Sequence, residues 1–195
     1  MTRDALLESG IQLFASQGYE ATSTRQIETE AGVQRNLITY HFGNKDDFWK
    51  ACIAVINSKM AKQLQPAFDQ SRDLGPLDRV RYLIRRFVRA SAQYPEIGRI
   101  IFDEGRSDTW RLRWFAEHYS RGFFDTVEQL FEEARAQGTA PNVPLTSFYY
   151  MLVSSTALFT LSAECKLLTG QNPNEASLIE AHADAIAMLL TTNRE

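Results

Sequence analysis

The placement of the glycines and prolines constrains this chain more than any other feature. Ten Gly and six Pro gather mainly at a few points: Gly18, Gly32, Gly43, Gly75-Pro76, Tyr94-Pro95, Gly105, residues 138–144 and residues 170–173. Because both residues are punctuators of regular structure, the stretches between them are the candidate elements, blocks of about 10 to 30 residues. Their apolar side chains recur at helical rather than alternating spacing, so the chain is expected to be all α.

The N-terminal fifty residues divide finely. Leu7, Ile11 and Phe14 form one helical face, flanked by Leu6, Gly10 and Leu13, until Gly18 stops the helix. Ser23 or Thr24 can cap a second helix, Ser23 with Gln26 three residues on as a capping box, and Ile27 and Ala31 then point inward. Gly32 is where a backbone ending that helix takes positive φ. A third short helix follows, carrying Ile38 and Phe42 at i and i+4. Gly43-Asn44 then turns the chain into a long fourth helix opened by Lys45-Asp46-Asp47. A boundary near residue 50 is expected to separate a helix-turn-helix domain, 1–50, from a larger helical domain, 51–195. Two short helices joined by a glycine turn, as 25–42 predicts, can lay the second helix in the major groove of DNA.

Charge gives this idea no help in bulk. The formal net charge is −3, and residues 1–50 hold five Lys/Arg against seven Asp/Glu, so a nucleic-acid surface must come from local placement. Several classes are disfavoured. The apolar stretch 148–163 is broken by Ser154, Ser155, Thr156 and Thr160, and it falls short of the roughly 20 apolar residues of a bilayer span. It reads as a buried helix, with no membrane partner. Cys52 and Cys165 lie far apart, and Met1-Thr2-Arg3-Asp4 is too polar for a signal peptide, which points to the cytoplasm. His41, His118 and His182 have no metal-ligand spacing, and neither a nucleophile elbow nor a glycine-rich phosphate loop occurs. No metal, cofactor or catalytic constellation is expected, so the chain does not read as an enzyme.

Taken whole, Gly18-Tyr19-Glu20-Ala21-Thr22-Ser23-Thr24-Arg25-Gln26-Ile27, Glu30-Ala31-Gly32-Val33 and Ile38-Thr39-Tyr40-His41-Phe42-Gly43-Asn44-Lys45 resemble the DNA-binding domain of the TetR family. Tyr94-Pro95-Glu96-Ile97 and Leu168-Thr169-Gly170 are similar, more loosely, to the ligand-binding domain of that family. The resemblance implies a homodimeric transcription regulator, a repressor by preference, that binds palindromic double-stranded operator DNA and is released by a small-molecule effector. It places Ser23 and Thr24 on a phosphate, and Arg25 on a phosphate or a base edge. Gln34, Arg35, Asn36 and Thr39 would read groove edges, and Tyr40, His41 and Lys45 would lie against the DNA backbone. The sequence departs from the common family pattern at Gln34, Asn36 and Thr39, where Tyr is usual in place of Thr39. An activator, or a helix-turn-helix protein acting as a DNA-free interaction module, is the alternative.

Residues 82–159 contain fifteen of the twenty-two aromatic side chains. Such density can line an apolar cavity, and Phe102, Trp110, Trp114 and Tyr149 are expected to belong to one, with a largely apolar or aromatic effector. Asp103, Glu104, Arg106, Asp108, Arg111 and Arg113 are expected to pair with one another at the surface. Arg81, Arg85 and Arg89 form a stripe that reads as a solvated helix face. The resemblance further implies that helices over 145–168 and 175–191 pair across a two-fold axis as a four-helix bundle. The small residues Ser154, Ser155, Ala157, Ala181 and Ala185, together with Ile186, would allow close approach there.

Overall fold

A computed structural model describes residues 2–191. Among them there are helices, turns and bends but no strand. α1 (Thr2–Ala21) is interrupted at Gly18, whose φ of 77° lies in the left-handed region; a side chain there would be strained, and its Cβ would stand 2.7 Å from a carboxylate oxygen of Asp103. α2 (Thr24–Glu30) is capped by Ser23, whose hydroxyl accepts the Gln26 N–H. The capping box is only half formed, since the Gln26 amide donates to Gln17 and does not reach back to Ser23. Gly32 takes a φ of 65°.

α3 (Leu37–Phe42) is shorter than the sequence suggested. Asn36, at a left-handed φ of 68°, is its cap, which leaves Gln34, Arg35 and Asn36 on the turn before the helix. α4 (Lys45–Gln70) opens on Asn44, which exchanges two hydrogen bonds of 2.8 Å with Asp47, and it continues through Pro66. A proline ring disturbs the carbonyls one turn back, and here Arg86 donates to the Gln63 carbonyl at 3.0 Å.

α5 (Pro76–Gln93) and α6 (Pro95–Glu104) each begin with proline, whose missing N–H is harmless in a first turn. α7 (Trp110–Phe115) runs through a π-helical segment, Ala116–Ser120, into α8 (Arg121–Ala136). The single helix expected over 145–168 is in fact three: α9 (Leu145–Ser154), α10 (Ala157–Thr160) and α11 (Ser162–Thr169). The breaks fall where Ser155, Thr156 and Thr160 turn their hydroxyls onto carbonyls three residues back, competing with the helical ladder. α12 is Ala176–Leu189. Among the described residues no single helix is long and apolar enough to cross a membrane; Leu145–Thr160 and Ser162–Thr169 reach that length only together, bent by 70°.

Two apolar clusters organise these helices. The first joins Leu6, Ile11, Phe14, Ile27, Ile38, Phe48 and Trp49 to Ile97, Ile100 and Phe115, so it runs past residue 50 from the short helices into α6 and α7. The second is built on Ile84, Phe87, Val88, Phe131, Phe148 and Phe159, with Ala183 and Ala187 of α12 fully buried in it. α12 lies along α5, and the arginine stripe bridges the rim of their contact. Arg81 donates to Thr191 at 2.9 Å, Arg85 pairs with Asp184, and Arg89 grips Glu180 with two nitrogens. The stripe is therefore an interhelical clasp, not a face left wholly to water.

Candidate nucleic-acid interface and effector cavity

The turn from α2 to α3 is held by a residue that sequence reasoning missed. Glu28 is buried, and its carboxylate accepts the Ile38 N–H at 3.0 Å. It satisfies an amide at the start of α3 that no helical carbonyl can reach, and so it fixes α3 on α2 from inside. Nothing local marks this pair, whose members stand ten residues apart. Ile38 is fully buried beneath the same turn, and Phe42 packs edge-on against Phe48 with ring centroids 4.9 Å apart.

With its inner face pinned, α3 turns Thr39, Tyr40 and His41 outward; Tyr40 is 81% exposed. Gln34, Arg35 and Asn36 are exposed beside them, and Ser23, Thr24 and Arg25 lie at the start of α2, with Thr24 half-buried. The side chains of Arg25, Gln34, Arg35 and Asn36 make no hydrogen bond or ion pair among the described residues. Most nearby acids, by contrast, are occupied. Glu28 caps α3, Asp46 accepts the Tyr19 hydroxyl, Asp47 binds Asn44 and Lys50, and Glu20 pairs with Arg111. An acidic domain can in this way present a local surface of free donors.

Lys45 sits differently from the other expected DNA-contacting residues. Its ammonium donates to the Tyr19 carbonyl at 2.6 Å and lies 3.9 Å from the Tyr19 ring centroid, and burial holds it below its ordinary pKa. Arg111 also stacks on that ring, 4.1 Å from its centroid, and its guanidinium is buried in a 2.7 Å pair with Glu104. Tyr19 also meets Trp49 and Trp110 edge-on. Burial, followed by the hydrogen bond to Asp46, pushes the Tyr19 hydroxyl well above the usual phenol range.

This junction corrects one expectation. Trp110 and Trp114 are not in the walls of the cavity that Phe102 and Tyr149 line: they pack on Trp49 with centroids 5.7 and 5.8 Å apart, so all three tryptophans of the chain form one cluster between α4 and α7. Their aromatic character alone could not separate junction from pocket. Phe102 and Tyr149 do line a cavity of about 380 Å³, together with Asn57, Met60 and Leu64 of α4, Phe87 and Ser91 of α5, Tyr119 and Ser120 of the π segment, and Thr156 and Thr160. Among the described residues, no Asp, Glu, Lys, Arg or His is in its walls. The mid-chain charges pair with one another as expected, Arg106 with Asp103, Arg111 with Glu104 and Arg113 with Asp108. The Arg111–Glu104 pair is buried, however, not superficial.

Of the small residues expected at a two-fold interface, Ser154, Ala181 and Ala185 are exposed, and Ala157 and Ile186 are half-buried. Ser155 is buried inside the chain, where its carbonyl meets His182 at 2.8 Å. Beside the exposed ones, Met151 and Leu161, and on α12 Met188 and Leu189, open apolar surface to solvent. Among the described residues, no three His, Cys, Asp or Glu side chains are grouped to hold a metal ion.

Comparison with known proteins agrees with this architecture. Residues 6–52 match the model described as bacterial regulatory proteins, tetR family. The chain is 22% identical over 153 residues to the Bacillus subtilis protein named "Probable HTH-type transcriptional regulator YttP", covering 78% of this chain and 74% of that one. It is 28% identical over 98 residues to the HTH-type transcriptional regulator RutR of Escherichia coli K12, covering 50% of this chain and 45% of RutR. Its fold is that of the TetR family transcriptional regulator PfmR from Thermus thermophilus, with a TM-score of 0.70, 19% identity and coverage of 100% and 98%. The chain thus joins a TetR-family helix-turn-helix domain, over residues 6–52, to a helical C-terminal domain, and it is similar to HTH-type transcriptional regulators.

Proposed function

We propose that the protein binds a palindromic operator as a homodimer, as a repressor, and is released when an uncharged, largely apolar effector enters the cavity between α4, α5 and α6. The observation that carries this reading is the course of α4. Its first turn, at Asn44 and Lys45, closes the helix-turn-helix, and its later turns at Asn57, Met60 and Leu64 wall the cavity. A ligand changes operator affinity only by binding the DNA-competent and DNA-incompetent states unequally. A helix shared by both sites supplies that difference if it shifts on filling and alters the separation of two α3 helices.

Dimerisation answers an energetic need, since a single six-residue α3 buries too little to bind specifically, and two half-sites one helical turn apart supply the rest. The exposed stripes Met151–Ser154–Leu161 and Ala181–Ala185–Met188 support a second copy of the chain packing there. Arg35, Gln34, Asn36 and Thr39 are assigned to base edges. Arg25, Ser23, Thr24, Tyr40 and His41 are assigned to the DNA backbone, with Lys45 offering the donors that Tyr19 leaves free. The test is selection of duplexes from a random pool, followed by gel-shift titration of the selected site. Arg35→Ala should weaken that complex by about 1–3 kcal/mol with the oligomeric state unchanged; equal affinity of variant and parent refutes the assignment.

A further inference from the structure

We propose that the effector is an uncharged amphiphile with one long aliphatic chain, an ester, alcohol or amide, whose tail passes from the main cavity into a second, smaller chamber. This rests on the cavity being the effector site. The second chamber, of about 60 Å³, lies between α5 and α8 and is walled by Leu83, Ile84, Val127, Leu130 and Phe131. Leu64, Phe87 and Phe123 line both chambers, so these side chains form part of the wall between them. Phe87 and Phe123 stack at 5.2 Å with their planes 20° apart, leaving a narrow partition. A rigid ring system fills the first chamber alone, whereas a polymethylene chain, one methylene wide and torsionally free, can extend past such a partition.

Polar groups assign the two ends. In the small chamber the hydroxyls of Thr126, Thr139 and Thr191 each donate to a backbone carbonyl already, at 2.8, 3.0 and 2.6 Å. No hydroxyl donor is left there for the oxygen of a head group. In the main cavity Ser91, Thr156 and Thr160 are likewise occupied, but the hydroxyls of Tyr94, Tyr119 and Tyr149 have no partner among the described residues. Burial raises the pKa of Tyr119 and of Tyr149, which keeps both as donors. They suit a carbonyl or hydroxyl oxygen. A carboxylate or ammonium would find no counter-charge among the described residues of either chamber, and an unpaired buried charge is strongly disfavoured.

The experiment titrates the full-length protein with saturated fatty acid methyl esters of increasing length, the matching carboxylates, and naphthalene as a compact apolar probe. Affinity should rise about fourfold per added methylene until the second chamber is filled, and each ester should bind more tightly than its carboxylate. Thr126→Phe and Val80→Phe, which crowd the small chamber from two different helices, should move the plateau to shorter esters and leave naphthalene binding unchanged. Circular dichroism identifies whichever variant folds. Carboxylates binding as tightly as esters, or a chain-length profile unmoved in a folded variant, overturns the proposal. If naphthalene binds while no ester does, the amphiphile fails and the apolar effector site stands; if no probe binds, both fall.

Discussion

The two apolar clusters are made from the same kinds of side chain and are built to different ends. The first, around Trp49, is closed: Leu6, Ile27, Ile38, Phe48 and Ile53 have no solvent exposure, and a Cβ added at Gly10 would meet the Phe48 ring at 2.5 Å. The second surrounds the smaller chamber, walled by Ile84, Phe87 and Phe131, and the larger cavity opens where it meets the far edge of the first, with Phe102 on its wall 37% exposed. Close packing fixes one arrangement of helices, whereas a cavity leaves room for two. The closed cluster therefore holds in shape the surface proposed to read DNA. The open one is where a small molecule can act.

The largest test of this contrast is matched truncation. Trp49→Ala should cost about 3–5 kcal/mol, whereas Phe102→Ala, already beside a void, should cost about 1 kcal/mol or less. Urea denaturation of both variants checks this, and equal losses would erase the distinction between the clusters.

The same contrast explains what the sequence could reveal. Gly18, Gly32 and Asn44 set the helix-turn-helix by local rules, a positive φ or a cap, and those rules are visible in a single chain. The caps also show where local reading stops: Asn36 takes the left-handed conformation that starts α3, and nothing in the periodicity marks it. In the C-terminal domain the decisive relations are between distant segments. Trp110 and Trp114 face Trp49 and not the cavity, and Arg85 and Arg89 face Asp184 and Glu180, nearly a hundred residues on. The breaks in 145–168 depend on whether Ser155 and Thr156 turn back onto their own helix, which composition does not decide.

A second test asks whether the recognition turn is held by one buried contact. Glu28→Ala leaves the Ile38 N–H without its acceptor inside the protein, a loss of about 1–3 kcal/mol. Operator affinity should fall with it, because α3 loses its tether to α2. Glu28→Gln keeps an acceptor oxygen and should recover most of both. A Glu28→Ala variant with full stability and full gel-shift affinity would show that the close packing of Ile38 suffices alone.

A smaller effect is set by pH inside the first cluster, at Tyr19. The Tyr19 hydroxyl is raised above its unfolded value of about 10, chiefly by burial and next by its bond to Asp46. A group raised on folding contributes stability that is complete below its unfolded pKa and is lost as pH rises through the folded one. The melting temperature should therefore decline from about pH 9 upward, and Tyr19→Phe should flatten part of that decline, Tyr119 and Tyr149 supplying the rest. An unchanged alkaline limb in Tyr19→Phe would place the titration elsewhere.

The smallest effect belongs to the clasp between α5 and α12. Arg89 holds the Glu180 carboxyl below its ordinary pKa through a two-nitrogen hydrogen bond, yet the side chains are 36% and 51% exposed. Water and salt screen such a pair, so Arg89→Ala should cost less than about 1 kcal/mol, and the difference from the parent should shrink as salt is added. What holds α12 on α5 is then Ala183 and Ala187, fully buried against Val88 and its neighbours. Ala183→Leu should exceed Arg89→Ala in a melting experiment, since overpacking a filled site costs about 1–3 kcal/mol. If the arginine variant proves the more damaging, α12 is held by charge, and the second cluster is looser than its buried alanines imply.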